Sequence, residues 1–123
     1  MPNRPKYLDL TQIRMPLPAV VSIMHRVSGA VLFLALPLLL WGLQNSLTSA
    51  DSFEALRAAF SGGFAKLVII GLVWGYLHHL CAGIRLLLLD LDIGTELAQA
   101  RFSSVMVLVI SIALTIGVGV LIW

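Results

Sequence analysis

Three long apolar runs constrain this chain more than any other feature of its sequence. Residues 102–123 carry no charge over 22 positions, which in a helix corresponds to about 33 Å at 1.5 Å per residue. Residues 67–89 are interrupted only by two histidines and Arg85, and residues 27–43 are uncharged and follow a nearly apolar stretch. A helix of roughly 20 apolar residues crosses a bilayer, so each run predicts a transmembrane helix.

The composition agrees with this interpretation. The 123 residues are 59% hydrophobic and 11% charged, with a mean hydropathy of +0.99, which excludes an ordinary soluble domain. A net charge of +2 without a basic patch argues against nucleic acid, and the single cysteine, Cys81, allows no internal disulfide. We predict an all-α membrane protein of one domain, residues 1–123, forming part of a larger helical bundle. Its transmembrane helices should cover about 16–43, 64–89 and 102–123.

The first connection, residues 45–63, predicts a short helix in the membrane interface. Its apolar residues recur at helical spacing: Phe53, Leu56 and Phe60. Asp51 or Ser52 can cap its start and Gly62 can stop it. A short amphipathic helix of this kind can lie in the plane of the membrane surface.

The distribution of positive charge predicts the orientation. Six cationic residues fall on one side of the three helices: Arg4, Lys6, Arg14, Arg26, Arg85 and Arg101. Only Arg57 and Lys66 fall on the other side. The positive-inside rule therefore places the N-terminus in the cytoplasm, and Trp41 and Trp123 then lie at the opposite interface, where tryptophan is favoured.

The first twenty residues contain no continuous apolar segment of the kind found in a secretory signal. They also lack the Arg- and Ser-rich amphipathic character of a transit peptide. We therefore expect a multi-pass protein of a bacterial inner membrane.

His79 is the residue whose position most strongly suggests a function. An ionisable side chain inside a transmembrane segment is costly and marks a candidate functional site. Gly75 and Gly83, four residues before and after it, clear the same helix face of side chains, which suits a flat porphyrin whose iron takes the imidazole nitrogen. The alternative is a histidine that hydrogen-bonds to a neighbouring helix, with the glycines serving only close packing.

A second polar group lies near the start of the first helix. Ser22, His25, Arg26 and Gly29 recur at i, i+3, i+4 and i+7, so they share one stripe. A hydroxyl and a guanidinium one turn apart suit a carbonyl oxygen or a carboxylate. The alternative is an arginine that snorkels at a helix end, with the serine bonded to its own backbone. Three helices alone cannot enclose a large cofactor, so we expect a partner subunit.

Two segments carry a resemblance to a known family. Residues 22–29 read SIMHRVSG and residues 79–85 read HLCAGIR, with Asp90 five residues later. These resemble the two signatures of the cytochrome b subunit of succinate dehydrogenase, the large membrane anchor of respiratory complex II. The N-terminal segment RPKYLDLTQIRMP resembles the one that precedes the first signature, and the likeness covers essentially the whole chain.

The resemblance implies specific roles. His79 would be an axial ligand of haem b, and the small anchor subunit would supply the second histidine. The ubiquinone site would involve four residues: Ser22, Arg26, Leu10 and Met15. The haem propionates and pocket would involve His25, Arg26, Gly75 and Gly83. FAD, the iron–sulfur clusters and the dicarboxylate site would belong to the flavoprotein and iron–sulfur subunits, so this chain would hold no catalytic residue of its own.

Two positions depart from the family pattern. Many members carry histidine after the arginine of the second signature, where this chain has Leu86, and His78 is an addition beside the expected ligand. Two other functions remain compatible with the sequence. One is the anchor of a fumarate reductase that uses menaquinone, and the other is a haem-free structural membrane subunit.

Overall fold

The computed structural model describes residues 9–123, which fold into four α-helices. These are α1 (Leu17–Thr48), α2 (Ala50–Ala59), α3 (Gly63–Asp90) and α4 (Leu97–Ile122). Helices α1, α3 and α4 are each long and apolar enough to cross a membrane. The prediction of an all-α membrane protein with three transmembrane helices and a short helix between the first two is confirmed.

Prolines set the start of α1, and polar side chains accompany its end. Pro16 is the N-cap and Pro18 lies in the first turn, where the missing N–H has no helical partner to lose. The helix continues to Thr48, beyond the predicted end near residue 43. Asn45 and Thr48 hydrogen-bond to carbonyls of the preceding turn, so the polar residues after the apolar run prolong the helix.

The start of α2 differs from the prediction. Its N-cap is Ser49, and neither Asp51 nor Ser52 takes that place. Ser49 and Ser52 form a reciprocal capping box, which satisfies backbone donors at the helix start. The Ser52 hydroxyl also donates to the carbonyl oxygen of Asn45 at 2.7 Å, which fastens α2 to the end of α1. The helix ends before Gly62, which instead caps the start of α3.

Helix α4 begins at Leu97, earlier than the predicted Phe102. The extra residues, Leu97 to Arg101, are good helix formers, so the helix starts before the uncharged run. The chain reverses between α3 and α4 through Asp92 and Gly94, which have φ angles of 59° and 79°. Such left-handed conformations are tolerated by Asp and Gly.

The interior of the three long helices is small and partly polar. Its buried apolar residues are Val21, Ala82 and Val107, and its buried polar residues are His78, Arg85, Ser104, Ser111 and Thr115. The hydroxyls of Ser104 and Thr115 donate to carbonyls of their own helix, so these small side chains need no hydrogen-bond partner from another helix. Such residues let transmembrane helices approach closely. Most large apolar side chains face outwards, as expected for helices surrounded by lipid and partner helices.

Lys66 and Trp123 connect the start of α3 to the end of α4. The Lys66 ammonium donates to the Trp123 carbonyl oxygen at 3.2 Å, and it also lies 5.4 Å from the centroid of a Trp123 ring. The two interactions combine a hydrogen bond with a cation–π contact. They hold the first turn of α3 against the last turn of α4.

Candidate functional site

The first signature on α1 and the second on α3 meet at the imidazole of His79. The Nδ1 atom of His79 lies 3.1 Å from the His25 carbonyl oxygen and 3.2 Å from the Ser28 hydroxyl oxygen. The Ser28 hydroxyl donates to the same His25 carbonyl, at 2.9 Å. Because a carbonyl oxygen only accepts, the bond from His79 requires the proton on Nδ1. The lone pair of Nε2 then remains available as a ligand.

The ring of His25 covers one face of His79. The two ring centroids are 4.1 Å apart and the planes differ by 9°, so the rings stack. Both side chains are half-buried. The stack and the Nδ1 hydrogen bond together fix the orientation of the His79 ring.

Glycines make room for this arrangement, but not in the way that the spacing suggested. A Cβ atom on Gly29 would lie 2.8 Å from Cε1 of His79, so α1 can approach this ring only because position 29 has no side chain. A Cβ on Gly83 would lie 3.5 Å from Nε2 of His25, and one on Gly75 would meet nothing within 4 Å. Gly83 therefore faces His25, while the space beside Gly75 is open.

An open cavity of about 400 Å³ adjoins the two imidazoles. Its lining residues are His25, His79, Leu80, Gly83, Ile84, Leu86 and Leu87. Apart from the two histidines, these residues are apolar. The cavity can therefore take a flat apolar group that presents a metal to the free imidazole nitrogen. Leu86, which departs from the family pattern, forms part of this apolar wall.

The other predicted site residues are not joined to the imidazole pair. Arg26 is exposed and Ser22 is half-buried. Within residues 9–123, neither side chain makes a hydrogen bond or an ion pair. Leu10 is exposed and Met15 is half-buried, both ahead of α1. The polar groups of Ser22 and Arg26 are thus available to a ligand or a partner.

His78 points away from this site into the core of the three helices. It is 1% exposed, and its ring lies 5.5 Å from the ring of Trp74, the residue one turn before it. Neither ring nitrogen has a hydrogen-bond partner among the described residues. The adjacent histidines therefore occupy different environments, and of the two only His79 lines the cavity.

Comparison with known proteins agrees with both signatures. Residues 1–118 match the family described as the succinate dehydrogenase/fumarate reductase transmembrane subunit. The chain belongs to this family. The match includes α1, α2, α3 and most of α4.

Individual proteins are similar to this chain along nearly its whole length. The succinate dehydrogenase cytochrome b556 subunit of Coxiella burnetii is 40% identical and covers 98% of each chain. The b556 subunit of Paracoccus denitrificans is 32% identical over 93% of this chain and 88% of its own. The mitochondrial cytochrome b560 subunit of Sus scrofa is 30% identical over 95% of this chain and 70% of its own.

One residue of the site, Ser28, was not anticipated from the sequence. Its hydroxyl lies at hydrogen-bond distance from both Nδ1 of His79 and the His25 carbonyl oxygen. Ser28 follows His25 by three residues and precedes Gly29. The sequence shows a small polar residue beside Gly29, but it carries no signal for which helix packs against that residue.

Proposed function

We propose that this chain is the cytochrome b membrane-anchor subunit of a succinate:quinone oxidoreductase. In this proposal it helps to bind haem b and the ubiquinone that accepts electrons from succinate. The observation that carries the proposal is the His79 imidazole, held at Nδ1 and free at Nε2 beside an apolar cavity. A metal-ligating histidine characteristically has its other nitrogen bonded to a carbonyl or carboxylate.

The residues present fit one side of a haem. His79 would be the axial ligand, and the apolar wall around Gly83 and Leu86 would receive the porphyrin. His25 would line the pocket and would not be the second histidine that holds the iron, because its ring is stacked on the His79 ring. That histidine would come from the small anchor subunit. When bound, the haem would supply one-electron transfer.

The stripe at the start of α1 is suited to a quinone. Quinone reduction takes two electrons and two protons, so negative charge develops on the carbonyl oxygens. The exposed Arg26 guanidinium can stabilise that charge and the Ser22 hydroxyl can bond a carbonyl oxygen. Leu10 and Met15 would provide apolar contact with the ring. We also place Arg26 and His25 near the haem propionates, which a positive group stabilises.

The proposed partners follow from the similarity to succinate dehydrogenase subunits. FAD and the iron–sulfur clusters would reside in the flavoprotein and iron–sulfur subunits, which deliver electrons from succinate. In this proposal the chain positions the haem and the quinone and provides the charges around them, while the cofactors carry out the redox chemistry. The small anchor subunit would cover the open side of the cavity beside His25 and His79.

The experiment that tests this function is spectroscopic. The complex, purified from membranes with its co-purifying subunits identified by mass spectrometry, should show a b-type α-band in its reduced-minus-oxidised spectrum. It should also reduce ubiquinone with succinate. A complex without haem absorption would make this chain a structural membrane subunit. Preferential fumarate reduction with menaquinol would assign it to the reverse reaction.

The close approach of His79 to Gly29 provides a test of the proposed haem site. We expect Gly29→Ala to displace the His79 ring, because the new Cβ would lie 2.8 Å from Cε1, and to lower the low-spin haem content of the complex. Gly42→Ala on the same helix is the matched control, since nothing lies within 4 Å of a Cβ there. Equal haem content in the two variants would refute this role of Gly29.

The proposed orientation places the N-terminus in the cytoplasm and Trp123 at the periplasmic face of a bacterial inner membrane. A reporter fused after Trp123 should therefore be active only as a periplasmic enzyme such as alkaline phosphatase. The reason is the six-to-two distribution of cationic residues, which sets topology. Activity of a cytoplasmic reporter at that position would reverse the assignment.

A further inference from the structure

A second cavity lies where α3 turns into α4, on the other side of α3 from the imidazole pair. Its volume is about 590 Å³. Its lining residues are Arg85, Leu88, Leu89, Ile93, Gly94, Ala98, Gln99, Phe102 and Ser103. It shares no lining residue with the cavity beside His25 and His79, so it belongs neither to the proposed haem site nor to the quinone stripe.

The charged group of this cavity is Arg85, which is only 6% exposed. Its Nε donates to the Ser103 hydroxyl at 2.9 Å and its Nη2 to the Ala100 carbonyl oxygen at 3.3 Å. These two bonds use two of the five N–H donors of a guanidinium. Both acceptors are neutral, so the positive charge itself is not compensated.

No carboxylate of this chain neutralises Arg85. All six acidic residues belong to residues 9–123, and the one ion pair within this described part joins Glu54 to Arg57. A buried charge without a counter-ion is strongly unfavourable. The guanidinium therefore favours an anion from outside the chain.

The first turn of α4 also favours an anion in this cavity. Ala98 and Gln99 line the cavity and belong to the first turn of the helix, whose N-cap, Glu96, provides no side-chain hydrogen bond. The backbone N–H groups of a first turn lack helical acceptors and carry partial positive charge. The buried guanidinium and this helix end thus both favour an anion in one cavity.

The walls of the cavity indicate what kind of anion it takes. Leu88, Leu89, Ile93 and Phe102 are apolar, and the cavity lies at the end of two transmembrane helices, where lipid headgroups are found. Basic pockets between transmembrane helices on the cytoplasmic side of a membrane, where the proposed orientation puts this end of α3, bind anionic headgroups. We infer that the cavity between α3 and α4 binds one anionic phospholipid of the surrounding bilayer, with its phosphate on Arg85 and an acyl chain along the apolar wall.

Lipid retention by the purified complex tests the inference. The complex is delipidated, placed in nanodiscs of phosphatidylcholine with phosphatidylglycerol, and released for native mass spectrometry. Arg85→Gln removes the charge, Ala98→Phe fills the cavity while leaving Arg85 in place, and Arg101→Gln removes an exposed cation outside the cavity. We expect Arg85→Gln to retain phosphatidylglycerol about tenfold less, the size of one lost charge-assisted bond. Ala98→Phe should also retain less of this lipid, because its ring occupies the space of the acyl chain, and Arg101→Gln should match the unmodified complex.

Each other outcome contradicts the inference. Equal retention in all four proteins would mean that no lipid depends on this cavity. Release of phosphatidylglycerol by inorganic phosphate would make it a small-anion site. In a third outcome, the Arg85→Gln complex loses a partner subunit while the Ala98→Phe complex retains phosphatidylglycerol normally. That result would mean that Arg85 binds a carboxylate of the lost subunit. The haem spectrum, recorded on the same samples, reports the proposed function independently.

Discussion

Replacing His79 with leucine is expected to abolish the low-spin haem signal of the assembled complex. The His79 imidazole lines the cavity, and its Nδ1 bond to the His25 carbonyl oxygen fixes the orientation of the ring. This bond leaves Nε2 free to bind a metal. Leucine has a similar volume but no donor atom for iron. The loss should be complete in the reduced-minus-oxidised spectrum and in the low-spin signals of electron paramagnetic resonance.

The neighbouring histidine provides the matched control. His78→Leu should leave the haem spectrum nearly unchanged, because this ring lies in the core beside Trp74 and does not reach the cavity. Its nitrogens have no partner within residues 9–123, so replacing the ring with an apolar side chain leaves no buried donor or acceptor unpaired. Loss of haem from the His78 variant alone would show that the wrong ring had been assigned to iron.

The second large effect is expected at the quinone stripe. Arg26→Leu and Ser22→Ala should lower the rate of succinate-driven ubiquinone reduction by about one to two orders of magnitude, the scale of losing one donor to a developing oxyanion. Arg26 should show the larger loss because it carries the charge. The measurement is the steady-state rate of ubiquinone reduction by the purified complex.

Two comparisons separate quinone chemistry from assembly. Electron transfer from succinate to a soluble dye that accepts at the flavin should persist in both variants. Arg57→Leu, which removes an exposed cation from α2, should leave quinone reduction unaltered. If dye and quinone activities fall together in the Arg26 variant, the residue supports assembly of the complex and the quinone assignment fails.

The fold could be predicted because the bilayer imposes a length on uncharged helices. The run from residue 102 to residue 123 specifies a spanning helix almost without reference to the rest of the chain. The ends were less predictable, since they depend on local bonds. Residues 97–101 extend α4 because they are good helix formers. Helix α2 starts at Ala50 because Ser49 and Ser52 form the capping box, whereas Asp51 lies within the first turn.

The candidate site was predictable only in part, because spacing along one helix does not show what the next helix brings. The positions of Gly75 and Gly83 relative to His79 suggested a single trough. The structure gives Gly83 a neighbour from α1, the His25 ring, and it assigns the tightest approach to Gly29. The contact of Ser28 with His79 joins residues 51 positions apart, and no local pattern encodes the register between α1 and α3.

The bonds between Arg85 and the start of α4 have a consequence for biogenesis. The apolar run of α3 contains Arg85 and the two adjacent histidines. It therefore partitions from the translocon into lipid less readily than an uncharged segment. The partners of Arg85, the Ser103 hydroxyl and the Ala100 carbonyl, are synthesised only after α3 is complete. Helix α4, by contrast, is uncharged from residue 102 onwards. We therefore expect α3 and α4 to enter the bilayer together as a helical hairpin, with the later segment carrying the earlier one into the membrane.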